Sequence, residues 1–141
     1  MVDMRVEPFL IASSVVLVAA QRLCRKVCAN CREKTDVPDG VFKKMGVLLD
    51  KIWPAKDRAF YRGRGCDKCS QTGYRGRLAA LETLAMDDKL RDLVVRRVSS
   101  FEIKEYAVSK GMTTLREDAL KKMCQGLTTL DEVIRVTSED E

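Results

Sequence analysis

Two cysteine pairs are the residues of this sequence whose type and spacing could do chemistry. The spacing Cys-x-x-Cys occurs twice, with 34 residues between the pairs, at Cys28, Cys31, Cys66 and Cys69. Each pair can present two thiolates from one tight turn, so two turns together complete a tetrahedral S₄ shell with sulfur about 2.3 Å from a zinc ion. The spacing therefore predicts one structural Zn²⁺ bound by these four cysteines.

The same pattern is compatible with other sulfur chemistry. A mononuclear iron of the rubredoxin type takes four cysteine ligands, and two disulfides would use the same residues. Thioredoxin-like redox chemistry needs one pair in a βαβ context, which the hydrophobic pattern does not indicate. Cys24 and Cys124 stand alone in segments that predict helices, and there a thiol behaves as a buried small apolar residue.

The segments around the second pair must position its sulfurs. Four glycines between residues 63 and 77 permit the sharp turns that aim amide N–H groups at thiolates. Tyr61 and Tyr74 flank this turn in stretches that predict a small β-ribbon. Between the pairs, apolar residues at helical spacing predict one or two short helices within Val37–Trp53, which end before Pro54.

The longest apolar stretch is Phe9–Ala20, interrupted by two serines. It is shorter than the roughly 20 apolar residues that a transmembrane helix needs, so no transmembrane segment is predicted. A signal peptide is also disfavoured, because Asp3 and Glu7 outnumber Arg5 in a leader that should be positively charged.

A strand followed by a helix is the alternative interpretation of this stretch. Phe9–Ala12 would form the strand, and Ser13 or Ser14 would cap a helix over Val15–Cys24, where no residue breaks a helix.

After Leu78 the sequence becomes acidic and predicts four helices. Their start signals are Asp87 or Asp88 and three capping boxes, Ser99 with Glu102, Thr114 with Glu117, and Thr129 with Glu132. Acidic residues at these starts, such as Asp118, favour the helix dipole. Gly111 and Gly126 are predicted helix ends, and residues 138–141 form a predicted disordered tail.

Composition and charge narrow the function classes. The chain has 141 residues, 33% of them charged and 45% hydrophobic, which is typical of a globular protein. It has no histidine, which excludes Ser-His-Asp and Cys-His nucleophiles and His-ligated zinc hydrolases. The net charge of +5 is uneven: residues 22–77 contain 15 basic and 6 acidic residues, whereas residues 78–141 contain 10 and 13. A basic middle segment could contact nucleic acid, anionic lipid or an acidic protein.

Nucleotide-binding motifs are missing from the 141 residues. No Gly-Lys dipeptide occurs, so there is no Walker A loop, and there is no Gly-x-Gly-x-x-Gly either. We expect no catalytic residue and no ATP hydrolysis by this chain alone.

Several strings, in this order and spacing, resemble the C-terminal part of the type II secretion and type IV pilus assembly ATPases (the GspE/PilB family). They are Val6-Glu-Pro-Phe-Leu-Ile-Ala-Ser-Ser14, Ala20-Gln-Arg-Leu23, the first Cys-x-x-Cys pair, residues 65–77 around the second pair, and Gly126-Leu-Thr-Thr-Leu-Asp-Glu-Val133. The resemblance implies an α+β protein in three parts. Residues 1–26 would be the last strand and helix of a truncated RecA-like ATPase core, residues 27–77 the tetracysteine zinc-binding module, and residues 78–141 a C-terminal helical domain with an acidic tail.

The resemblance also implies partners and a location. Family members are cytoplasmic hexamers at the inner membrane of bacteria, where they couple ATP hydrolysis to pilus or pseudopilus extrusion through platform proteins. This chain would contribute contacts with neighbouring ATPase subunits and platform proteins, while the family's catalytic motifs would lie upstream of Met1. The alternative is a stand-alone zinc-ribbon protein that binds nucleic acid through the tyrosines above and Arg62, Arg64, Lys68, Arg75 and Arg77.

Overall fold

A computed structural model of the chain describes residues 6–36, 50, 53 and 58–137. Within these ranges the elements are α1 (Pro8–Ser14), β1 (Leu17–Val27), β2 (Arg32–Lys34), β3 (Tyr61–Gly63), a 3₁₀ turn (Asp67–Cys69), β4 (Tyr74–Ala85), α2 (Asp88–Val95), α3 (Ser100–Ser109), α4 (Leu115–Cys124) and α5 (Leu130–Thr137). Strand β1 pairs with β4, and β2 pairs with β3. The chain is thus a mixture of helices and two small sheets. The predicted helices of Val37–Trp53 and the acidic tail lie outside the described residues, apart from Asp50 and Trp53.

The described chain divides into two compact units. The first takes its residues from Met1–Ala20 and Glu82–Thr114, and the second from Gln21–Leu81 and Leu115–Glu141. In the first unit α1 packs on α2, and the buried residues include Ala12, Leu90 and Ala107.

The N-terminal segment differs from the expected strand and helix. Residues Pro8–Ser14 form a helix, and Leu17–Val27 form a strand, so the order of the two elements is reversed. Proline is favoured in the first turn of a helix because its missing N–H has no helical partner there. Strand β1 pairs with β4, and this pairing decides its conformation although no residue of Val15–Cys24 breaks a helix.

Strand β4 is a second difference, because it continues to Ala85 through the part of the sequence expected to begin the helical domain at residue 78. The predicted ribbon of Tyr61 and Tyr74 is also divided. Tyr61 lies in β3, which pairs antiparallel with β2 so that Lys34 faces Tyr61 and Arg32 faces Gly63. Tyr74 begins β4, which pairs with β1.

The four C-terminal helices begin where the capping signals predicted. The Asp87 carboxylate accepts the Leu90 N–H at 2.7 Å, and the Ser99 hydroxyl accepts the Glu102 N–H at 3.2 Å. Helices α3 and α4 end ahead of Gly111 and Gly126, whose φ angles are +95° and +72°. Positive φ is the conformation that a glycine C-cap supplies, so these predicted ends are confirmed.

The core of the second unit lies between the paired strands and the last two helices. Its buried residues are Cys24, Ala80, Leu115, Ala119, Leu120, Met123, Cys124, Val133 and Val136. Cys124 ends α4 as expected, whereas Cys24 lies in β1 rather than in a helix. Both thiols are buried, at 0% and 1% exposure, and burial raises the pKa of each. They therefore pack as small apolar residues.

Candidate metal centre

The structure brings together the four cysteines that the spacing singled out. The Sγ atoms of Cys28 and Cys66 lie 3.9 Å apart, those of Cys31 and Cys69 3.9 Å, and those of Cys66 and Cys69 3.7 Å. All four Sγ atoms lie within 4.8 Å of one another. A tetrahedron with metal–sulfur bonds of 2.3 Å has edges of about 3.8 Å. Three of the six sulfur–sulfur distances therefore match the edge of an S₄ metal site, and the whole cluster is compact enough to surround one ion.

Two backbone turns carry the sulfurs, and hydrogen bonds join them. The first turn follows β1 and presents Cys28 and Cys31, while the second contains the 3₁₀ turn Asp67–Cys69. The Cys28 N–H donates to the Gly73 carbonyl at 2.9 Å, and the Arg64 N–H donates to the Cys31 carbonyl at 3.0 Å. These bonds fix the distance between two sequence segments that are far apart in the chain.

A close approach of two glycines makes this junction possible. A Cβ atom added at Gly63 would lie 2.0 Å from the carbonyl oxygen of Gly73. Gly73 also has φ +76°, which L side chains rarely adopt. Glycine at both positions is thus a steric requirement of the paired turns.

Hydrogen-bond donors point at the sulfur atoms. The N–H groups of Cys66 and Gly73 donate to Cys69 Sγ at 3.2 and 3.3 Å, and Asn30 Nδ2 donates to Cys66 Sγ at 3.3 Å. Such bonds favour the thiolate over the thiol, and the thiolate is the metal ligand. Asn30 was not predicted as a contributor, because only the contact across 36 residues reveals its role.

These contacts and burial give the cysteines different pKa values. Burial raises the pKa of Cys69, but the backbone N–H groups of Cys66 and Gly73 outweigh it and bring the pKa to about 6. Burial also raises the pKa of Cys31, here to about 11. A divalent cation at the centre would favour deprotonation of all four thiols.

The geometry decides among some of the sulfur chemistries. All six cysteines are free, so the two-disulfide hypothesis is not supported. The four sulfurs form one cluster instead of two separate dithiols, which favours metal binding over thioredoxin-like exchange. The S₄ arrangement suits zinc and mononuclear iron alike.

The basic residues of the nucleic-acid alternative are exposed, but both tyrosines are engaged. Arg25 lies over the ring of Tyr74 at 4.2 Å from the centroid, and Arg32 lies over Tyr61 at 4.9 Å. Each arginine covers one face of its tyrosine ring, so a base could stack only on the other face.

An ion cluster around Glu132 was missed by the sequence reasoning, which assigned this residue to a capping box only. Its side chain is fully buried and binds the guanidinium groups of Arg25 and Arg135, with the Arg25 backbone N–H at 2.7 Å. The hydroxyl of Thr128 donates to the Arg25 carbonyl at 2.9 Å. The cluster fastens α5 to β1 just before the first cysteine pair. Arg135 is three residues from Glu132, but Arg25 is 107 residues away, so no local pattern indicates the cluster as a whole.

None of the helices in the described parts of the chain combines the length and the hydrophobicity that crossing a bilayer requires.

Known proteins that are similar to this chain are named for type IV pilus assembly or type II secretion. The type IV pilus assembly ATPase PilB of Thermus thermophilus is 43% identical over 137 residues, which cover 97% of this chain and 15% of the relative. The type II secretion system protein E of Pseudomonas aeruginosa is 39% identical over 140 residues, or 99% of this chain and 27% of the relative. The type II secretion system ATPase E of Vibrio cholerae is 39% identical over 137 residues, or 97% and 26%.

The chain thus spans between about a seventh and about a quarter of the length of these relatives. The sequence model of a protein family described as "Type II/IV secretion system protein" matches residues 1–135. Because this match covers nearly all of the 141 residues, the chain belongs to the type II/IV secretion system protein family.

Proposed function

We propose that this chain is a C-terminal, non-catalytic part of a type II secretion or type IV pilus assembly motor ATPase. It acts as a zinc-stabilised module that contacts neighbouring ATPase subunits and inner-membrane platform proteins. The observation that carries the proposal is the S₄ cluster within a chain of this family: three of its six sulfur–sulfur distances are 3.7–3.9 Å, as in a tetrahedral metal site, and all six are within 4.8 Å.

Zinc is the metal that we assign to the cluster, as one ion held by Cys28, Cys31, Cys66 and Cys69. Four thiolates in a closed tetrahedron are typical of structural zinc sites, which leave no position open for a substrate. When bound, Zn²⁺ supplies a redox-inert cross-link between the two turns. The residues around it orient the sulfurs through backbone N–H donors and keep the turns in contact.

We assign catalysis by the motor to residues outside these 141. Relatives are named ATPases, and phosphate binding in such enzymes uses a Gly-Lys-containing loop that these 141 residues lack. The module therefore provides a zinc-stabilised surface that contacts other proteins at the cytoplasmic side of the inner membrane. The relatives do not favour the nucleic-acid alternative, since their names describe secretion and pilus assembly.

A metal and binding assay tests this proposal. The purified chain should contain one zinc per chain by elemental analysis, and it should bind the isolated cytoplasmic domain of a platform protein in calorimetry. Cys28→Ser should lose the metal and the binding, because a three-ligand site loses much of the free energy that orders the module. Cys124→Ala, a change in the core at a cysteine outside the cluster, should keep both.

Three outcomes would contradict the proposal. One is full zinc content and an unchanged thermal transition in Cys28→Ser. Another is ATP hydrolysis that follows the purified chain through chromatography. A third is tight binding of single-stranded oligonucleotide that weakens steeply with salt, since this is the behaviour of a nucleic-acid-binding protein.

A further inference from the structure

A groove of about 590 Å³ opens in the second unit between the β2–β3 pair and the start of α5. Its apolar lining includes Tyr61, Tyr74, Leu130 and Ile134. Ile134 is 41% exposed, while its neighbour Val133 on α5 is fully buried. Helix α5 therefore presents one apolar side chain to the core and another to the groove.

The aromatic walls of this groove are held in place. The Tyr74 hydroxyl is hydrogen-bonded to the Thr129 hydroxyl at 2.8 Å, and its ring is stacked under Arg25. Tyr61 lies against Gly126, where an added Cβ would come within 2.4 Å of the ring. Rigid walls reduce the conformational entropy that the protein loses when a ligand binds, so the groove is preorganised for an occupant.

Charge at the rim of the groove has the opposite sign from most of the surrounding segment. Asp36 and Asp131 line it, and both are exposed carboxylates without a charged partner among the described residues. Arg62 also lines the groove, but its guanidinium is paired with Glu33 at 2.8 Å. Residues 22–77 nevertheless carry an excess of basic side chains. Asp36 of this basic segment and Asp131 of the acidic C-terminal part thus bring two carboxylates to one rim, where they attract cations.

We propose that this groove binds a short basic peptide segment of an inner-membrane partner, whose apolar side chain enters between the tyrosines and Ile134 and whose Lys or Arg side chains pair with Asp36 and Asp131. The inference rests on the proposed function, which places the chain next to membrane proteins. Cytoplasmic segments of membrane proteins near their spans are enriched in Lys and Arg. Their positive charge is therefore complementary to the carboxylates of Asp36 and Asp131 at this rim. Insertion of an apolar side chain into a hydrophobic groove is also a common way for peptides to dock.

The test measures fluorescence anisotropy of a labelled peptide that contains only Lys, Leu and Phe, titrated with the full chain. One control peptide has Glu in place of every Lys, and the other has Ser in place of Leu and Phe. Asp131→Lys and Asp36→Lys should each weaken binding of the basic peptide by roughly five-fold, the size expected for one exposed ion pair. Glu105→Lys, an identical charge change at an exposed residue of the first unit, should leave it unchanged.

A second readout locates the peptide. Amide chemical-shift changes in a heteronuclear NMR titration should centre on Tyr61, Leu130 and Ile134. Equal binding of the Glu peptide, equal effects of Glu105→Lys and Asp131→Lys, or shift changes elsewhere would each overturn the proposal. So would an absence of binding at about 1 mM peptide, a concentration at which even weak docking is seen.

Competition separates this inference from the proposed function. The basic peptide should displace the cytoplasmic domain of a platform protein from the chain. If that domain binds but neither the peptide nor Asp131→Lys affects it, the groove proposal is wrong while the proposed function stands. If the peptide occupies the groove but the domain never binds, the assignment of the partner is wrong, and the proposed contact fails with it.

Discussion

Replacing Glu132 with Gln removes the charge of a carboxylate that is fully buried between two arginines. The carboxylate accepts Arg135 Nε at 2.8 Å and a terminal nitrogen of Arg135 at 2.7 Å, and Arg25 supplies its Nε at 2.9 Å. The side-chain hydrogen bonds of Arg135 are the main cause that holds the pKa of Glu132 at about 2, below its ordinary 4.5, against the opposing effect of burial. Glu132→Gln therefore exchanges a paired charge for an amide that cannot accept all of these donors.

The pKa shift gives the magnitude. A difference of about 2.5 pKa units corresponds to about 3 kcal/mol of stability that depends on the ionised carboxylate. Because the pKa is lower in the folded state, this contribution is present above the unfolded pKa of about 4.5 and is lost as the pH falls towards about 2. Glu132→Gln should therefore lower the free energy of unfolding by about 3 kcal/mol at neutral pH, with a decreasing effect below about pH 5.

Urea unfolding at a series of pH values measures this difference, and Glu33→Gln is the matched control. Glu33 also pairs with an arginine at 2.8 Å, but the side chain of Arg62 is 66% exposed and that of Glu33 36%. Exposed ion pairs contribute less than about 1 kcal/mol, so this variant should differ little from the wild type. If Glu132→Gln costs no more than Glu33→Gln, or if its cost does not decrease in acid, the assignment of a stabilising buried ion cluster is wrong.

Three further predictions concern the turns and the helix starts. Gly63→Ala should lower metal affinity at least ten-fold in a chelator competition, because its Cβ would collide with the carbonyl of Gly73; unchanged affinity would mean that the turns can separate freely. Ser99→Ala should cost about 1 kcal/mol in urea unfolding, since α3 loses the hydroxyl that accepts a first-turn N–H; a neutral result would show that the cap is dispensable. Tyr106→Phe should raise the pKa of Asp87 in an NMR titration, because the Leu90 N–H would remain but the phenol that also lowers this pKa would be gone; an unchanged value would exclude their hydrogen bond in solution.

The candidate metal site was predictable because its signal is local. Two residues between the cysteines of a pair are enough to place both thiols on one turn, and no other pattern in the chain competes for them. The helix starts at Asp87 and Ser99 were predictable for a similar reason, since a cap and the N–H that it accepts are three residues apart.

The first elements were predicted in the wrong order because their periodicity is ambiguous. An apolar run without a helix breaker, such as Val15–Cys24, suits a helix or a strand equally well. Pairing of β1 with β4 decides between them, and the partner strand begins 57 residues after the start of β1, at Tyr74. The same pairing extends β4 to Ala85, inside the expected C-terminal helical domain but ahead of its first predicted helix start at Asp87 or Asp88.

The sequence by itself determined which residues can bind a metal, where the last four helices begin, and to which family the chain is similar. These features depend on residue types within a few positions of one another. Only the tertiary structure decided that Arg25 pairs with the buried Glu132, and that the carboxylate of Asp118, besides standing at a helix start, accepts the Leu81 N–H of β4 at 2.7 Å. Such contacts join residues that chain folding brings together from separations of 37 to more than 100 positions, and the energy of a buried charge depends on all of them at once.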